Sequence, residues 1–182
     1  MGDVMQSPPT LYVMVGLPAS GKSTRAKQIE EERAALKLTP DEWMIPLFGH
    51  HEADGKRAVL EGRFVWLAVR TLHKGIDVVL DFGVWSKDER TALRVLAAAV
   101  GASCELVYLE IDEVEQRRRR DGRASSDGEA TFFISDEDLA EYRPLFEAPD
   151  DAELSGVELD PPPDGHTSWS SWASERWPTS VE

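Results

Sequence analysis

Residues 16–23 spell Gly16-Leu17-Pro18-Ala19-Ser20-Gly21-Lys22-Ser23, which matches the pattern G-x-x-x-x-G-K-[ST] at every fixed position. The apolar run 11–15 before this stretch predicts a buried parallel strand. The run 24–36 after it predicts a helix that begins near Lys22. A strand, a glycine-rich turn and a helix, in that order, are the context in which this pattern binds nucleotide phosphates. The stretch therefore predicts an α/β fold with a nucleotide site at its first turn.

Each fixed residue of the stretch has a chemical reason. Gly16 and Gly21 allow the backbone N–H groups to approach anionic oxygens, and the start of the helix adds partial positive charge. We expect Lys22 to contact the β- and γ-phosphates and the Ser23 hydroxyl to coordinate Mg²⁺. The predicted nucleotide-binding residues are Gly16, Leu17, Pro18, Ala19, Ser20, Gly21, Lys22, Ser23 and Thr24, with Arg117 from a later helix.

The bulk composition is that of a globular chain of 182 residues with a net charge of −14. So negative a surface repels polyanions and predicts against broad nucleic-acid binding, although it leaves a local basic groove open. The single cysteine, Cys104, permits no internal disulfide and is typical of a reducing cytoplasm. No apolar run approaches membrane-spanning length, and residues 1–10 lack a signal-peptide pattern, so we expect a cytoplasmic protein.

Strand-like and helix-like segments alternate along the chain, which predicts a three-layer α/β sandwich with a mostly parallel sheet of about five strands. The predicted strands are 11–15, 35–39, 76–82, 103–111 and, at the end, 156–160. The predicted helices after the first are 40–48, 56–72, 86–100, 112–120 and 136–146, with a polar loop over 121–130.

The C-terminal part of the chain differs in composition from the rest. We expect a domain over residues 1–160, with an arginine-rich lid near 112–130, followed by a Pro-, Ser- and Trp-rich tail over 161–182. The tail holds Trp169, Trp172 and Trp177, which is an unusual content for a disordered segment. Either these indoles fold back onto the domain or they await a partner. The free energy of burying an aromatic side chain favours folding back.

Two carboxylates follow predicted strands and are candidates for chemistry. Asp41 comes just after the second strand, where it could accept a hydroxyl proton as general base or act only as a helix cap or first-turn charge. Asp81 ends the third strand, where it could serve the Mg²⁺ side of the site or position substrate or water. No second acid follows Asp81, and no N-K-x-D segment is present. The first absence weighs against a motor ATPase. The second weighs against a guanine-nucleotide switch protein and favours ATP as the nucleotide.

The run Arg117-Arg118-Arg119-Arg120-Asp121-Gly122-Arg123 is the most basic segment of the chain. On a helix Arg117 and Arg120 share a face, as do Arg119 and Arg123. Arginines that close over a triphosphate would neutralise charge that develops during transfer, and we assign Arg120 to this catalytic role. The alternative is a solvated basic helix face. The pair His50-His51 could contact an acceptor, but adjacent loop histidines are more often solvated.

Four segments together resemble a known family: GLPASGKST at 16–24, LTPDEW at 38–43, VVLDFGVWSKDER at 78–90, and the arginine-rich lid. They resemble the small predicted-kinase group of P-loop proteins, often labelled AAA-family ATPases, which is related to polynucleotide kinase, zeta toxins and chloramphenicol phosphotransferase. The resemblance implies a central phosphate-loop strand, use of ATP and Mg²⁺, and phosphoryl transfer to a hydroxyl. Lys22 and Ser23 match the family's nucleotide site and Asp41 its base, whereas the lid arginines match only loosely.

The leading hypothesis is therefore an ATP- and Mg²⁺-dependent phosphotransferase that acts on a hydroxyl of a small molecule. One alternative is a nucleoside triphosphate hydrolase whose only acceptor is water. Another is a non-catalytic ATP-binding module whose tail engages a partner. A polynucleotide 5′-hydroxyl kinase is disfavoured by the net charge. The sequence predicts neither the acceptor nor an oligomeric state.

Overall fold

The computed structural model describes residues 7–50, 53–126, 135–156 and 159–181. A parallel sheet forms the centre of the molecule, and its strand order is β2-β3-β1-β4. The strands are β1 (Thr10–Val15), β2 (Leu36–Leu38), β3 (Val78–Leu80) and β4 (Ser103–Tyr108). The helices are α1 (Lys22–Arg33), α2 (Pro40–Phe48), α3 (Lys56–Leu72), α4 (Lys87–Ala99), α5 (Glu113–Ser126), α6 (Asp136–Tyr142), α7 (Asp151–Leu154) and α8 (Trp169–Arg176). Short 3₁₀ turns lie at Ala53–Gly55, Arg143–Leu145 and Pro178–Ser180.

Strand β1 lies inside the sheet, between β3 and β4. Leu11 aligns with Val78 on one side and with Cys104 on the other. Successive side chains of a strand point to opposite faces of its sheet. Accordingly Val13 joins the core cluster that contains residues of α3, α4 and α8, while Met14 joins the cluster that contains residues of α1. Helices therefore cover both faces, which confirms the predicted α/β class with a parallel sheet.

The sheet has four strands among the described residues, against the predicted number of about five. The predicted last strand, 156–160, includes residues 157 and 158, which lie outside the described part. Just before it, α7 occupies a stretch for which we predicted no element. The side chain of Asp150 caps this helix by accepting a hydrogen bond from the Glu153 N–H at 2.8 Å, and such a cap favours a helical turn.

The predictions about helix boundaries have different outcomes. Helix α3 has the bounds that the apolar period predicts, and α4 begins with the predicted capping box, in which Ser86 and Glu89 exchange side chain–backbone hydrogen bonds of 3.1 Å. The predicted loop over 121–130 is wrong for 121–126, because α5 continues through Gly122 to Ser126. A glycine inside a helix costs only about 1 kcal/mol and does not by itself end it. The rest of that predicted loop, 127–130, lies outside the described residues.

The tryptophan-rich segment near the C-terminus folds back onto the domain, which is the alternative that the sequence analysis favoured. Trp169 and Trp177 belong to the core cluster that lies under α3 and α4. Trp172 meets them edge-on, with ring centroids 5.7 and 6.0 Å away. Beyond α8, the Thr179 hydroxyl donates a 2.6 Å hydrogen bond to the Val59 carbonyl of α3. The boundary at residue 160 between domain and tail stays a prediction.

A buried ion pair fastens the segment around α7 to the start of α4. Arg90 is fully buried, and its guanidinium donates to both carboxylate oxygens of Glu153 at 2.8 and 2.9 Å. It also donates to the Trp85 carbonyl at 3.1 Å and to the Glu147 carbonyl at 2.8 Å. Such a planar donor fork, once fully paired, fixes the geometry of every segment that it joins. In the described parts of the chain, no helix is both long and apolar enough to cross a membrane.

Candidate active site

The carboxyl ends of β1, β2 and β3 lie at one edge of the sheet, because these neighbouring strands are parallel. Ligands of open α/β sheets bind at this edge. The segment 16–23 leaves β1 there and leads into α1, Asp41 follows β2 in the first turn of α2, and Asp81 follows β3 directly. The topology therefore brings the three sequence-predicted groups to the same end of the fold.

The backbone of segment 16–23 requires its glycines. Gly16 has φ 148°, and a Cβ there would lie 2.6 Å from the Leu109 carbonyl oxygen. Gly21 has φ 101° at the position that caps the N-terminus of α1. Both values fall in the region that favours glycine. Ala19 also has a positive φ, 63°, which is uncommon for a residue with a Cβ and marks local strain of the kind that clusters at binding sites.

The Lys22 ammonium curls back over its own loop. Its Nζ donates to the Gly16 carbonyl at 2.9 Å and to the Leu17 carbonyl at 2.8 Å. These bonds hold a positive charge at the mouth of the loop, where the N-terminus of α1 also presents partial positive charge. The arrangement can receive an anion, as the motif predicts.

Asp81 is the electrostatic centre of the site. It is 5% exposed, and within the described residues its Oδ2 has no hydrogen-bond partner. Burial raises the pKa of its carboxyl above the usual value. A hydrogen bond from the Ser23 hydroxyl and the positive charges of Lys22 and Lys37 oppose this rise in pKa, whereas the negative charge of Asp41 adds to it. The other four residues therefore act on the Asp81 carboxyl, and every member of the group except Lys37 was predicted to belong to the site.

Ser23 and Asp81 fit a magnesium ion only as part of its coordination shell. Both offer hard oxygen atoms, and the Oδ2 of Asp81 is buried without a partner in the described structure. The described residues contain no group of three or more His, Cys, Asp or Glu side chains that could hold a metal. Mg²⁺ commonly binds through one or two protein ligands while phosphate oxygens and water complete its octahedron. The donor set therefore suits an ion that arrives with a nucleotide.

Asp41 is exposed and held by an arginine that sequence analysis did not identify. Its side chain is 63% exposed, and its Oδ1 accepts a 3.0 Å hydrogen bond from Arg57 of α3. Arg57 also pairs with Glu61 at 3.3 Å. The capping position of α2 belongs to Thr39, so Asp41 lies in the first helical turn rather than at the cap. No local pattern could reveal the contact with Arg57, since it joins two helices.

Helix α5 contacts the loop of segment 16–23 through Gln116 and Arg119. Gln116 donates to the Pro18 carbonyl at 2.9 Å and accepts a 2.5 Å hydrogen bond from Arg143. Arg119 donates to the Ser20 carbonyl at 3.0 Å. Sequence analysis did not single out either residue as the contact, although their spacing of three places them on one helix face. This spacing and the short connection between β4 and α5 are the features of the sequence that could have indicated the two contacts.

The two arginines selected from the sequence have acidic partners. Arg117 pairs with Glu113 at 2.7 Å and with Asp136 at 3.6 Å, while Arg120 pairs with Asp121 at 2.8 Å and also with Asp136. The shared partner confirms that Arg117 and Arg120 lie on one face. Their predicted phosphate and catalytic roles stay predictions.

The other arginines of the basic run and the histidine pair differ in how the structure places them. Hydrogen bonds from Arg118 and Arg119 lower the pKa of Glu115 to about 2, so this carboxylate stays charged at neutral pH. The side chain of Arg123 lies outside the described structure. His50 is exposed near the end of α2, and its neighbour His51 is outside the described residues.

Comparison with family models gives a match over residues 11–149 to a family described as an AAA domain. The sequence resemblance to P-loop kinases was predicted over nearly the same span, from about residue 11 to residue 154. A search of curated proteins found no match.

Solved structures share the fold at low identity. Kti12 of Chaetomium thermophilum, solved with ADP-AlF3, is 17% identical with a TM-score of 0.62, over 94% of this chain and 100% of that one. The APS kinase CysC of Mycobacterium tuberculosis, solved with AMPPNP and APS, is 17% identical with a TM-score of 0.56, over 92% and 95%. A chain of the Pnkp1/Rnl/Hen1 RNA repair complex is 18% identical with a TM-score of 0.58, over 91% of this chain. The match spans only 52% of that protein's length.

Proposed function

This chain belongs to the AAA domain family, and we propose that it is an ATP- and Mg²⁺-dependent phosphotransferase that moves the γ-phosphate to a hydroxyl of a small molecule. The observation that carries the proposal is the environment of Asp81. Its carboxyl accepts a hydrogen bond from Ser23 and feels the charges of Lys22 and Asp41. Lys22 on the nucleotide side, Asp81 on the metal side and the candidate base Asp41 are therefore close enough to interact electrostatically, as phosphoryl transfer requires.

The nucleotide would bind at segment 16–24. Its backbone N–H groups and the start of α1 would hold the phosphates, and Lys22 would exchange its two loop carbonyls for phosphate oxygens. Arg119, already bonded to the loop at Ser20, is better placed than Arg117 to contact them. Structures of the same fold contain ADP-AlF3 or AMPPNP, and the sequence lacks a guanine-reading N-K-x-D segment; both facts support ATP.

Ser23 and Asp81 would hold Mg²⁺, which in phosphotransferases neutralises charge that develops on the transferring phosphate. The Asp81 carboxyl suits such a cation, because its buried Oδ2 has no hydrogen-bond partner within the described residues and would coordinate the ion. Ser23 would turn its hydroxyl oxygen from Asp81 toward the ion.

Asp41 would act as the general base. As the acceptor oxygen forms its bond to the γ-phosphorus, the bond from that phosphorus to the β-bridging oxygen breaks, ADP leaves, and the hydroxyl proton passes to Asp41. Arg57 would orient Asp41 through the hydrogen bond to Oδ1. Arg120 would stabilise charge on the transferring group, for which it would have to exchange its partners Asp121 and Asp136 for phosphate oxygens.

A nucleoside triphosphate hydrolase is the second candidate, and the exposure of Asp41 favours it, because bulk water can reach this carboxylate. A non-catalytic module whose tail awaits a partner has less support, since Trp169 and Trp177 are buried in this chain's own core. A polynucleotide kinase stays disfavoured by the net charge of −14.

The Asp41→Asn variant tests the proposal. Asn cannot accept the proton, so transfer should fall about 10²- to 10⁴-fold while ATP affinity is kept. Glu31→Gln is the control, because this exposed carboxylate lies near the C-terminal end of α1 and should leave transfer unchanged. Phosphorylated product is quantified by mass spectrometry after a screen of hydroxyl-bearing metabolites and antibiotics. Transfer by Asp41→Asn at the wild-type rate would remove Asp41 as the base.

A further inference from the structure

The turn over residues 17–20 of the candidate nucleotide loop adopts a conformation that its own sequence does not favour. The Ser20 N–H donates to the Leu17 carbonyl at 3.2 Å, Pro18 occupies the second position, and Ala19 in the third position has φ 63°. A hydrogen-bonded turn with positive φ at its third position is a type II turn, which prefers glycine there. With alanine at that position, the type I turn, in which the same φ is negative, competes. A further contact is therefore needed to hold the type II form.

The two turn types differ in the orientation of their central peptide, which here joins Pro18 to Ala19. Conversion of one type into the other rotates this peptide by about half a revolution, with little change in the ends of the turn. The Pro18–Ala19 peptide is trans, so its C=O and N–H groups point in opposite directions. Whatever fixes the direction of the Pro18 carbonyl therefore also fixes the direction of the Ala19 N–H.

Gln116 of α5 fixes the direction of the Pro18 carbonyl. Its side chain is fully buried, its Nε2 donates to that carbonyl at 2.9 Å, and its Oε1 accepts from the Arg143 guanidinium at 2.5 Å. A guanidinium can only donate and a carbonyl can only accept, so both partners require the same orientation of the Gln116 amide. Burial makes either bond costly to lose, because water does not readily replace the missing partner. The amide therefore keeps a donor directed at Pro18.

We propose that Gln116 is a positioning residue of the candidate active site, which holds the turn 17–20 in its type II form and so prepares the loop for the phosphates of a nucleotide. In this form the Ala19 N–H points away from the Gln116 amide and joins the backbone donors that would hold an anion. In the type I form the central peptide is reversed, which withdraws the Ala19 N–H and turns the Pro18 carbonyl oxygen toward the anion. The identity of the ligand rests on the proposed function, whereas the effect of Gln116 on the turn needs no ligand.

A loss and its rescue test this role in the full chain. Gln116→Met keeps the length of the side chain but removes both hydrogen bonds, and calorimetric titration with ADP and Mg²⁺ should show the Kd raised about tenfold. Adding Ala19→Gly should bring the Kd back to within about twofold of the wild type, because a Pro-Gly turn favours type II without help from α5. Gln28→Met makes the same change at an exposed position of α1 and should leave the Kd unchanged.

Gln116→Glu separates the two contacts of the amide and keeps the test available if Gln116→Met does not fold. The carboxylate can still accept from Arg143 but has no hydrogen to donate to the Pro18 carbonyl. Its Kd for ADP should also rise about tenfold and should also be restored by Ala19→Gly. Repulsion between ADP and the added charge would not be relieved by a glycine, so the rescue distinguishes the turn from simple electrostatics.

The conformation of the turn can be measured without any nucleotide. The Cα and Cβ chemical shifts of Ala19 depend on its φ and ψ, so they should change in both Gln116 variants and stay unchanged in Gln28→Met. Unchanged shifts, a wild-type Kd in either Gln116 variant, or a weakened Kd that Ala19→Gly does not restore would overturn the assignment. Changed shifts together with a wild type that binds no nucleotide would support the role of Gln116 in the turn and count against the proposed function.

Discussion

Replacing Asp81 with Asn should stabilise the protein while it removes the candidate magnesium ligand. The Asp81 carboxyl is 5% exposed, and its Oδ2 has no partner within the described residues. A buried acceptor left unsatisfied costs about 1–3 kcal/mol. Because an amide carries no charge, we expect the free energy of unfolding at neutral pH to rise by about 1 kcal/mol. For a domain of this size, that corresponds to a melting temperature about 2–4 °C higher.

The stability difference should depend on pH with a definite sign. Burial raises the pKa of Asp81 above 3.8, so the folded state prefers the protonated acid. Wild-type stability is then lost as pH rises from the ordinary carboxyl range through the folded-state pKa, whereas the Asn variant has no such loss at this position. The gap in unfolding free energy between the two proteins should vanish below 3.8 and widen as the pH rises toward neutral.

Thermal and urea unfolding across this pH range measure the gap, with Asp164→Asn as the control for an exposed aspartate. Saturating Mg²⁺ and ATP should reverse the order, because only the wild type gains a metal ligand and ligand binding stabilises the folded state. Equal stability of wild type and Asp81→Asn at neutral pH, or a gap that is largest in acid, would refute the reasoning.

Three further substitutions test separate contacts. Lys22→Ala should abolish turnover with little change in unfolding free energy, since it removes a ligand contact; a variant that still turns over ATP would contradict the loop assignment. Arg119→Gln should raise the Kd of ATP about tenfold by calorimetry, while exposed Arg118→Gln should not; equal effects would show that α5 makes no specific phosphate contact. Glu153→Gln should cost about 3–5 kcal/mol in urea unfolding, against about 0–1 for Glu32→Gln in a surface pair, and similar losses would mean that the buried pair contributes nothing special.

The sequence predicted the features that local chemistry determines. The glycines of segment 16–23 are needed at positive φ, the Ser86 and Glu89 side chains cap α4 by a three-residue pattern, and the period of 56–72 defines α3. Each of these depends on residues within a few positions of one another. Asp81 was found for the same reason, because it ends an apolar run.

The contacts that the sequence missed join residues far apart in the chain. Arg119 was one of four consecutive arginines, and which of them faces the loop depends on the rotation of α5 relative to β1. Arg57 reaches Asp41 across sixteen residues and Arg90 reaches Glu153 across sixty-three. No periodicity encodes such pairs, since tertiary packing selects them. The end of α5 was missed because the polar stretch that contains Gly122 was predicted to be a loop, although a glycine costs only about 1 kcal/mol inside a helix.

The most direct test of the account is the stoichiometry of ADP release with and without hydroxyl-bearing acceptors. The wild type, with Mg²⁺ and ATP, should release ADP rapidly only when an acceptor is present, with one phosphorylated acceptor per ADP and little inorganic phosphate. Steady release of ADP and inorganic phosphate at the same rate whether or not any acceptor is added would contradict phosphoryl transfer and make this protein a hydrolase.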